Sequence, residues 1–123
     1  MERIPILRLG EVLLASIQDE LTDELALALQ QDLTEKAAAG ARGVIIDISG
    51  MEMVDSFLAR VLSEIAAATR ILAGETVVAG MRPSVAITLV EMGLSLRGLR
   101  TARSLPDALS VLGLGEARIQ GRP

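Results

Sequence analysis

The segment Gly43–Ile48 is almost continuously apolar, and a short loop joins it to the polar pair Asp55 and Ser56. A short, continuous apolar run is typical of a β-strand that is buried on both faces. Asp and Ser are favoured where a helix begins. We therefore expect a central strand over Val44–Ile48, the loop Ser49–Val54, and then a helix. A strand of this kind followed by a helix indicates an α/β fold.

Ser56 is expected at a helix N-terminus, close to the carboxyl end of a central strand. Unpaired backbone N–H groups and the helix dipole make such a position favourable for a phosphate. The same edge of an open α/β sheet is where ligands and partners usually bind. Asp55 and Ser56 are equally explained as capping residues of the helix. The local sequence leaves both interpretations open.

Apolar periodicity, caps and turn residues predict the element order β-β-α-β-α-β-α-(β)-α. The predicted strands are Ile4–Leu9, Glu11–Ile17 after a turn at Gly10, Val44–Ile48, Thr76–Gly80 and a short strand within Leu94–Thr101. The predicted helices run from an N-cap at Thr22 to Gly40, from Ser56 to Leu72, from Ser84 to Met92 with Gly93 closing it, and from Leu105 to Leu112.

This order predicts one mixed β-sheet with helices packed mainly on one face. Pro5 cannot donate to a strand ladder, so the first strand is expected at an edge of the sheet. Right-handed crossovers should place the helices of the second half on a common side. Residues 1–113 are expected to form a single domain, and residues 114–123 a flexible C-terminal tail.

The composition argues against most catalytic chemistry. The chain of 123 residues contains no histidine and no cysteine, so neither Ser–His nor Cys–His catalysis is available. We expect a non-enzyme without a cofactor or a metal site. A net charge of −4 and a single aromatic residue, Phe57, argue against nucleic-acid binding. The apolar runs are shorter than the roughly 20 residues of a membrane span, so we expect no membrane partner and a cytoplasmic location.

Several segments resemble a known family. The motif Val54-Asp55-Ser56 after a strand and a loop resembles the STAS domain of bacterial anti-anti-sigma factors. A wider set resembles the RsbS family, the single-domain STAS proteins of the stressosome: Ile4-Pro5-Ile6-Leu7, Leu14-Ala15-Ser16-Ile17-Gln18, Gly43-Val44-Ile45-Ile46-Asp47, Asp55-Ser56-Phe57-Leu58-Ala59 and Ala86-Ile87-Thr88-Leu89-Val90-Glu91-Met92-Gly93. The resemblance extends over roughly Ile4–Leu112.

The resemblance implies a STAS fold and a non-catalytic scaffold. In that family an RsbT-like serine kinase phosphorylates the serine that corresponds to Ser56 and is then released. It also implies assembly with RsbR-like co-antagonists and self-association. The chain departs from the simpler anti-anti-sigma pattern Asp-Ser-Ser-Gly-Leu-Gly, because Phe57–Arg60 replaces its small residues. An anti-anti-sigma factor that binds an anti-sigma kinase, and a small-ligand-binding STAS domain, remain the alternatives.

A partner surface is expected around Ser56. Its expected members are Asp55, Phe57, Arg60, Arg82 and Ser84. For two of these positions a structural role is the competing interpretation: Arg82 as a solvated side chain and Phe57 as a core residue. Asp47, at the end of the central strand, could shape the same surface or serve as a loop cap. Ser49 and Ser84 are the rival phosphate acceptors.

Overall fold

The computed structural model describes residues 3–18, 21–53, 55–72, 74–91 and 99–113. In chain order its elements are β1 (Ile6–Leu9), β2 (Val12–Ser16), α1 (Asp23–Ala38), β3 (Gly43–Asp47), α2 (Ser56–Leu72), β4 (Glu75–Ala79), α3 (Pro83–Glu91), β5 (Leu99–Ala102) and α4 (Leu105–Val111). The predicted element order, including the short strand before the last helix, is confirmed. The predicted helix end at Met92 and Gly93, and the predicted tail at 114–123, lie outside the described residues.

The sheet has five strands in sequence order, β1-β2-β3-β4-β5. β1 pairs antiparallel with β2, and every later pair is parallel. The turn between β1 and β2 uses Gly10 at φ 60°, a left-handed conformation that glycine adopts without steric cost. β1 is an edge strand, as Pro5 predicted, and Pro5 itself lies just before the strand. The sheet is therefore mixed, with β3 at its centre.

Successive side chains of β3 point to opposite faces of the sheet, and both faces are covered. Val44 and Ile46 lie in a core cluster with apolar residues of α1, α2 and α3, whereas Ile45 lies in a second cluster with Ala108 of α4. All of these strand residues are fully buried. The prediction of a strand buried on both faces is confirmed, and so is the packing of most helices on one face.

The position of α4 differs from the expectation that the helices of the second half share a side. α1, α2 and α3 each connect two neighbouring parallel strands, so crossovers of one handedness place all of them on one face. α4 follows the last strand and connects no strands. It folds back over the opposite face, where Ala108 and the half-buried Leu105 and Leu109 pack beside Val77 of β4.

The α1 helix begins as the sequence predicted. The Thr22 side chain accepts a hydrogen bond from the Leu25 N–H at 3.2 Å, and Asp23 and Glu24 lie in the first turn. Gly40 follows the helix at φ 121°. Capping residues and a terminal glycine thus set both ends of this helix.

Candidate functional site: the carboxyl end of the central strands

The loop that connects β3 to α2 (residues 48–55, the β3–α2 loop) continues directly from the sheet. The Ile17 N–H donates to the Asp47 carbonyl, and the Ile48 N–H donates to the Ala79 carbonyl, each at 2.9 Å. These bonds extend the pairing of β3 with both neighbours up to the start of the loop. The loop therefore leaves a rigid edge of the sheet.

The first half of the β3–α2 loop is held by short-range bonds. The Asp47 carboxylate accepts a hydrogen bond from the Ser49 N–H at 2.9 Å, which is the loop-capping contact considered from sequence. The Met51 N–H donates to the Ile48 carbonyl at 3.0 Å, and the Met51 side chain is buried in the core under α2. A capped turn and a buried anchor thus fix this part of the loop.

Asp55 is the N-cap of α2. Its carboxylate accepts a hydrogen bond from the Leu58 N–H at 2.9 Å, and its carbonyl accepts the first helical bond, from the Ala59 N–H, at 3.1 Å. Ser56 is the first residue of the helix and is exposed. Within the part of the chain that the structure describes, the Ser56 hydroxyl makes no hydrogen bond. The capping interpretation therefore holds for Asp55 and not for Ser56.

The other residues expected around Ser56 differ in their surroundings. Phe57 is half-buried and packs against the core cluster beneath α2, which favours the core interpretation. Arg60 is exposed one helical turn after Ser56, and residues at this spacing lie on the same side of a helix. Phe57, Arg60 and Ser56 therefore lie at the same end of α2, where Arg60 contributes an exposed positive charge.

Arg82 lies in the loop between β4 and α3 (residues 80–82, the β4–α3 loop). Its Nε and Nη2 atoms both donate to the Ser49 carbonyl, each at 3.3 Å. This contact occurs because β3 and β4 are parallel neighbours, so the loops that follow them lie side by side. Arg82 is thus exposed, but its guanidinium is hydrogen-bonded to the neighbouring loop. Ser84 is also exposed, and its carbonyl accepts a hydrogen bond from the Thr88 hydroxyl at 2.9 Å within α3.

Met53 is a candidate that the sequence analysis did not single out. Its side chain is 84% exposed in the β3–α2 loop, just before the Asp55 cap. The signal in the sequence was the presence of two methionines in one short loop. One buried methionine, here Met51, is enough to anchor the loop, which leaves the other exposed. Exposed apolar side chains near a functional position are candidates for partner contact.

Other site types have less support in the described structure. Among the described residues, no group of three or more acidic residues could hold a metal ion. An open cavity of about 370 Å³ is lined by Glu11, Gly40, Ala41 and Arg42. These residues lie at the amino ends of β2 and β3, opposite the edge that carries Ser56. No helix in the described ranges has the length and apolarity to cross a bilayer.

Comparison with known proteins identifies the family. The STAS domain family model matches residues 3–108. The chain belongs to the STAS-domain family. A serine-to-glutamate variant of RsbS from Moorella thermoacetica has 39% sequence identity to this STAS domain, with a TM-score of 0.77 over 89% of this chain and 94% of that chain. The resemblance to the RsbS family seen in the sequence is thereby confirmed.

Two further relatives connect this STAS domain to the same system. A chain in a structure of the molecular architecture of the stressosome, described as a signal integration and transduction hub, is 40% identical, with a TM-score of 0.74 over 89% of this chain and 96% of that chain. The RsbT co-antagonist protein RsbRD of Bacillus subtilis is 33% identical over 85 residues, 69% of this chain and 31% of that protein. The chain therefore spans about a third of the length of that relative.

Proposed function

We propose that this STAS domain is a non-catalytic scaffold of a bacterial stressosome that holds an RsbT-like serine kinase and releases it when Ser56 is phosphorylated. The observation that carries the proposal is the exposure of Ser56 and the absence of a hydrogen bond to its hydroxyl among the described residues. Its hydroxyl is exposed at the first position of α2 and forms no hydrogen bond among the described residues, while Asp55 provides the cap. A kinase can therefore modify it without breaking a bond that the fold needs.

A phosphate on Ser56 is compatible with the fold. It adds about −1.5 to −2 charges at neutral pH, close to the N–H groups and the positive dipole end of α2. Asp55 and the exposed Glu52 oppose it through like-charge repulsion. The expected effect is a large change in surface potential with little change in structure. A partner seated on this end of α2 would have to desolvate or pair the new charge, and would dissociate if it did neither.

Similarity to RsbS supports this role. The Moorella RsbS structure is that of a serine-to-glutamate variant, in which a carboxylate replaces a hydroxyl. Proteins named as RsbT co-antagonists share up to 33% identity with this chain. We therefore assign an RsbT-like kinase and RsbR-like STAS proteins as the partners, together with self-association, in a cytoplasmic assembly. No cofactor enters this function.

Reconstitution tests the proposal. The purified protein is mixed with an RsbT-like kinase and an RsbR-like protein, sized by sedimentation, and sized again after ATP and magnesium are added. The expected result is a large complex that contains the kinase and loses it as Ser56 is modified. Binding to an anti-sigma kinase without co-assembly would instead indicate an anti-anti-sigma factor. Saturable binding of a small molecule without either protein would indicate a ligand-binding domain.

A further inference from the structure

The β3–α2 loop is confined on two sides by neighbouring segments. On the β2 side, a Cβ atom at Gly50 would lie 3.0 Å from the backbone of Gln18. On the β4 side, a Cβ atom at Gly80 would lie 2.7 Å from the Cβ of Ser49, and Gly80 has a φ of +75°. Side chains larger than hydrogen would push the segments apart at both positions. The loop thus crosses the edge of the sheet in close contact with the residues that follow β2 and β4.

Arg82 fastens this loop to the start of α3. Its guanidinium donates to the Ser49 carbonyl through Nε and Nη2, while the Ser49 N–H is bonded to the Asp47 carboxylate. The Arg82 carbonyl accepts the Val85 and Ala86 N–H groups, each at 3.0 Å. Arg82 therefore directly precedes α3, its carbonyl accepts bonds from the first turn of that helix, and its side chain reaches across to the neighbouring loop. Ser49 is held through its own N–H and through its carbonyl.

Beyond Met51, the loop residues that the structure describes are exposed. Glu52 and Met53 are exposed, and the path from them to the Asp55 cap is short. A displacement at Ser49 would loosen the Met51 anchor two residues later, and exposed residues such as Glu52 and Met53 would not by themselves hold the start of α2 in place. The contact at Ser49 therefore limits how far the start of α2 can move.

We propose that Arg82 is a positioning residue for Ser56, which acts through the Ser49 carbonyl and holds the β3–α2 loop in the conformation that a kinase recognises. The role of Ser56 rests on the function proposed above, but the fastening of the loop does not. A loop that is released populates the competent conformation only part of the time. The apparent affinity of the kinase then falls by that fraction.

Amide hydrogen exchange tests the fastening without a kinase. In Arg82→Ala, the Ser49 and Met51 amides are expected to exchange about three- to tenfold faster, the size expected for losing about one hydrogen bond. Ile46 in the sheet should keep its protection. The matched control is Arg70→Ala, which removes an exposed arginine at the far end of α2 and should leave both loop amides unchanged. Unchanged loop exchange in Arg82→Ala, or equal acceleration in Arg70→Ala, would overturn the proposal.

Two further variants separate position from charge. Arg82→Lys keeps the charge and one donor group, so its loop exchange should lie between those of the wild type and Arg82→Ala. Gly80→Ala keeps every charge but pushes against Ser49, so it should accelerate the same two amides. If Arg82→Lys exchanges like the wild type and Gly80→Ala has no effect, the charge of Arg82 rather than the geometry of its contact with Ser49 holds the loop, and the proposal is wrong.

Kinase assays test the consequence for Ser56. Arg82→Ala should raise KM for phosphorylation about three- to tenfold while leaving kcat nearly unchanged, with partial rescue in Arg82→Lys, because only the fraction of competent protein changes. A wild-type protein that is not modified at Ser56 would refute the proposed function. Wild-type KM and kcat in Arg82→Ala, with Ser56 still modified, would refute the positioning role alone.

Discussion

The Asp55 carboxylate accepts a hydrogen bond from the Leu58 N–H at 2.9 Å and so caps α2. Ser56, which lies between these two residues, takes no part in capping the helix. Its hydroxyl is exposed and makes no hydrogen bond within the described ranges. The side chain that caps the helix and the proposed phosphate acceptor thus belong to adjacent residues, which allows each to be changed by itself.

Asp55→Ala should lower the free energy of unfolding by about 1 kcal/mol, because it removes the side-chain acceptor at the start of α2. Urea unfolding monitored by circular dichroism measures the change. Asp55→Asn is the control, since asparagine caps helices about as well as aspartate. An equally large loss of stability in Asp55→Asn would show that the charge of Asp55, rather than its hydrogen bond, stabilises the helix.

Ser56→Ala should abolish phosphorylation and retain the kinase permanently in the complex. The free energy of unfolding should change by less than about 0.5 kcal/mol, because the hydroxyl makes no bond that the fold needs. Peptide mass spectrometry after incubation with kinase, ATP and magnesium identifies the acceptor. Ser84→Ala is the control and should be phosphorylated like the wild type. Phosphate on Ser49 or Ser84 with Ser56 unmodified would identify a different acceptor.

Ser56→Asp should weaken kinase binding while the thermal midpoint stays close to that of the wild type. A carboxylate in the first turn of α2 suits the helix dipole, yet its single charge reproduces only part of the effect of a phosphate. Calorimetric titration with the kinase measures the affinity. Ser84→Asp places the same charge in the first turn of α3 and should weaken binding less. Equal losses in both variants would indicate a general charge effect.

Met53→Ser should make the free energy of kinase binding less favourable by about 1–2 kcal/mol, the cost expected for a side chain buried at the centre of an interface. Its stability should not change, because the side chain is 84% exposed. Ile71→Ser is a closely matched control, since Ile71 is also 84% exposed but lies at the far end of α2. Wild-type affinity in Met53→Ser would place the kinase elsewhere on the domain.

Leu7→Lys should reduce self-association and co-assembly with an RsbR-like protein. Leu7 is 57% exposed on β1 and pairs with Leu14, which lies in the core cluster between the sheet and α4. Leu7 therefore extends the apolar surface on that side of the sheet out to its edge. A charge on an edge strand opposes pairing with another chain. Sedimentation measures the assembly. Leu27→Lys, at a site 59% exposed on α1, is the control. A complex that tolerates Leu7→Lys would exclude this edge as the contact.

The sequence determined those features that depend on residues close together in the chain. Thr22, Gly10 and Gly40 marked where helices and turns begin and end, because caps and left-handed glycines act locally. The continuous apolar run in β3 indicated burial on both faces, and the motif at Asp55 and Ser56 placed a hydroxyl at a helix start. The segments spread between Ile4 and Leu112 were specific enough to indicate the family.

Only the tertiary structure decided how these local features meet. The contact from Arg82 to Ser49 spans 33 positions of sequence and exists because β3 and β4 are parallel neighbours. The exposure of Met53 beside the buried Met51 also depends on how the loop packs against the core. The face chosen by α4 was also undetermined, since a helix that connects no strands is not constrained by crossover handedness. Local propensities specify elements, whereas contacts between distant loops depend on how the whole sheet is assembled.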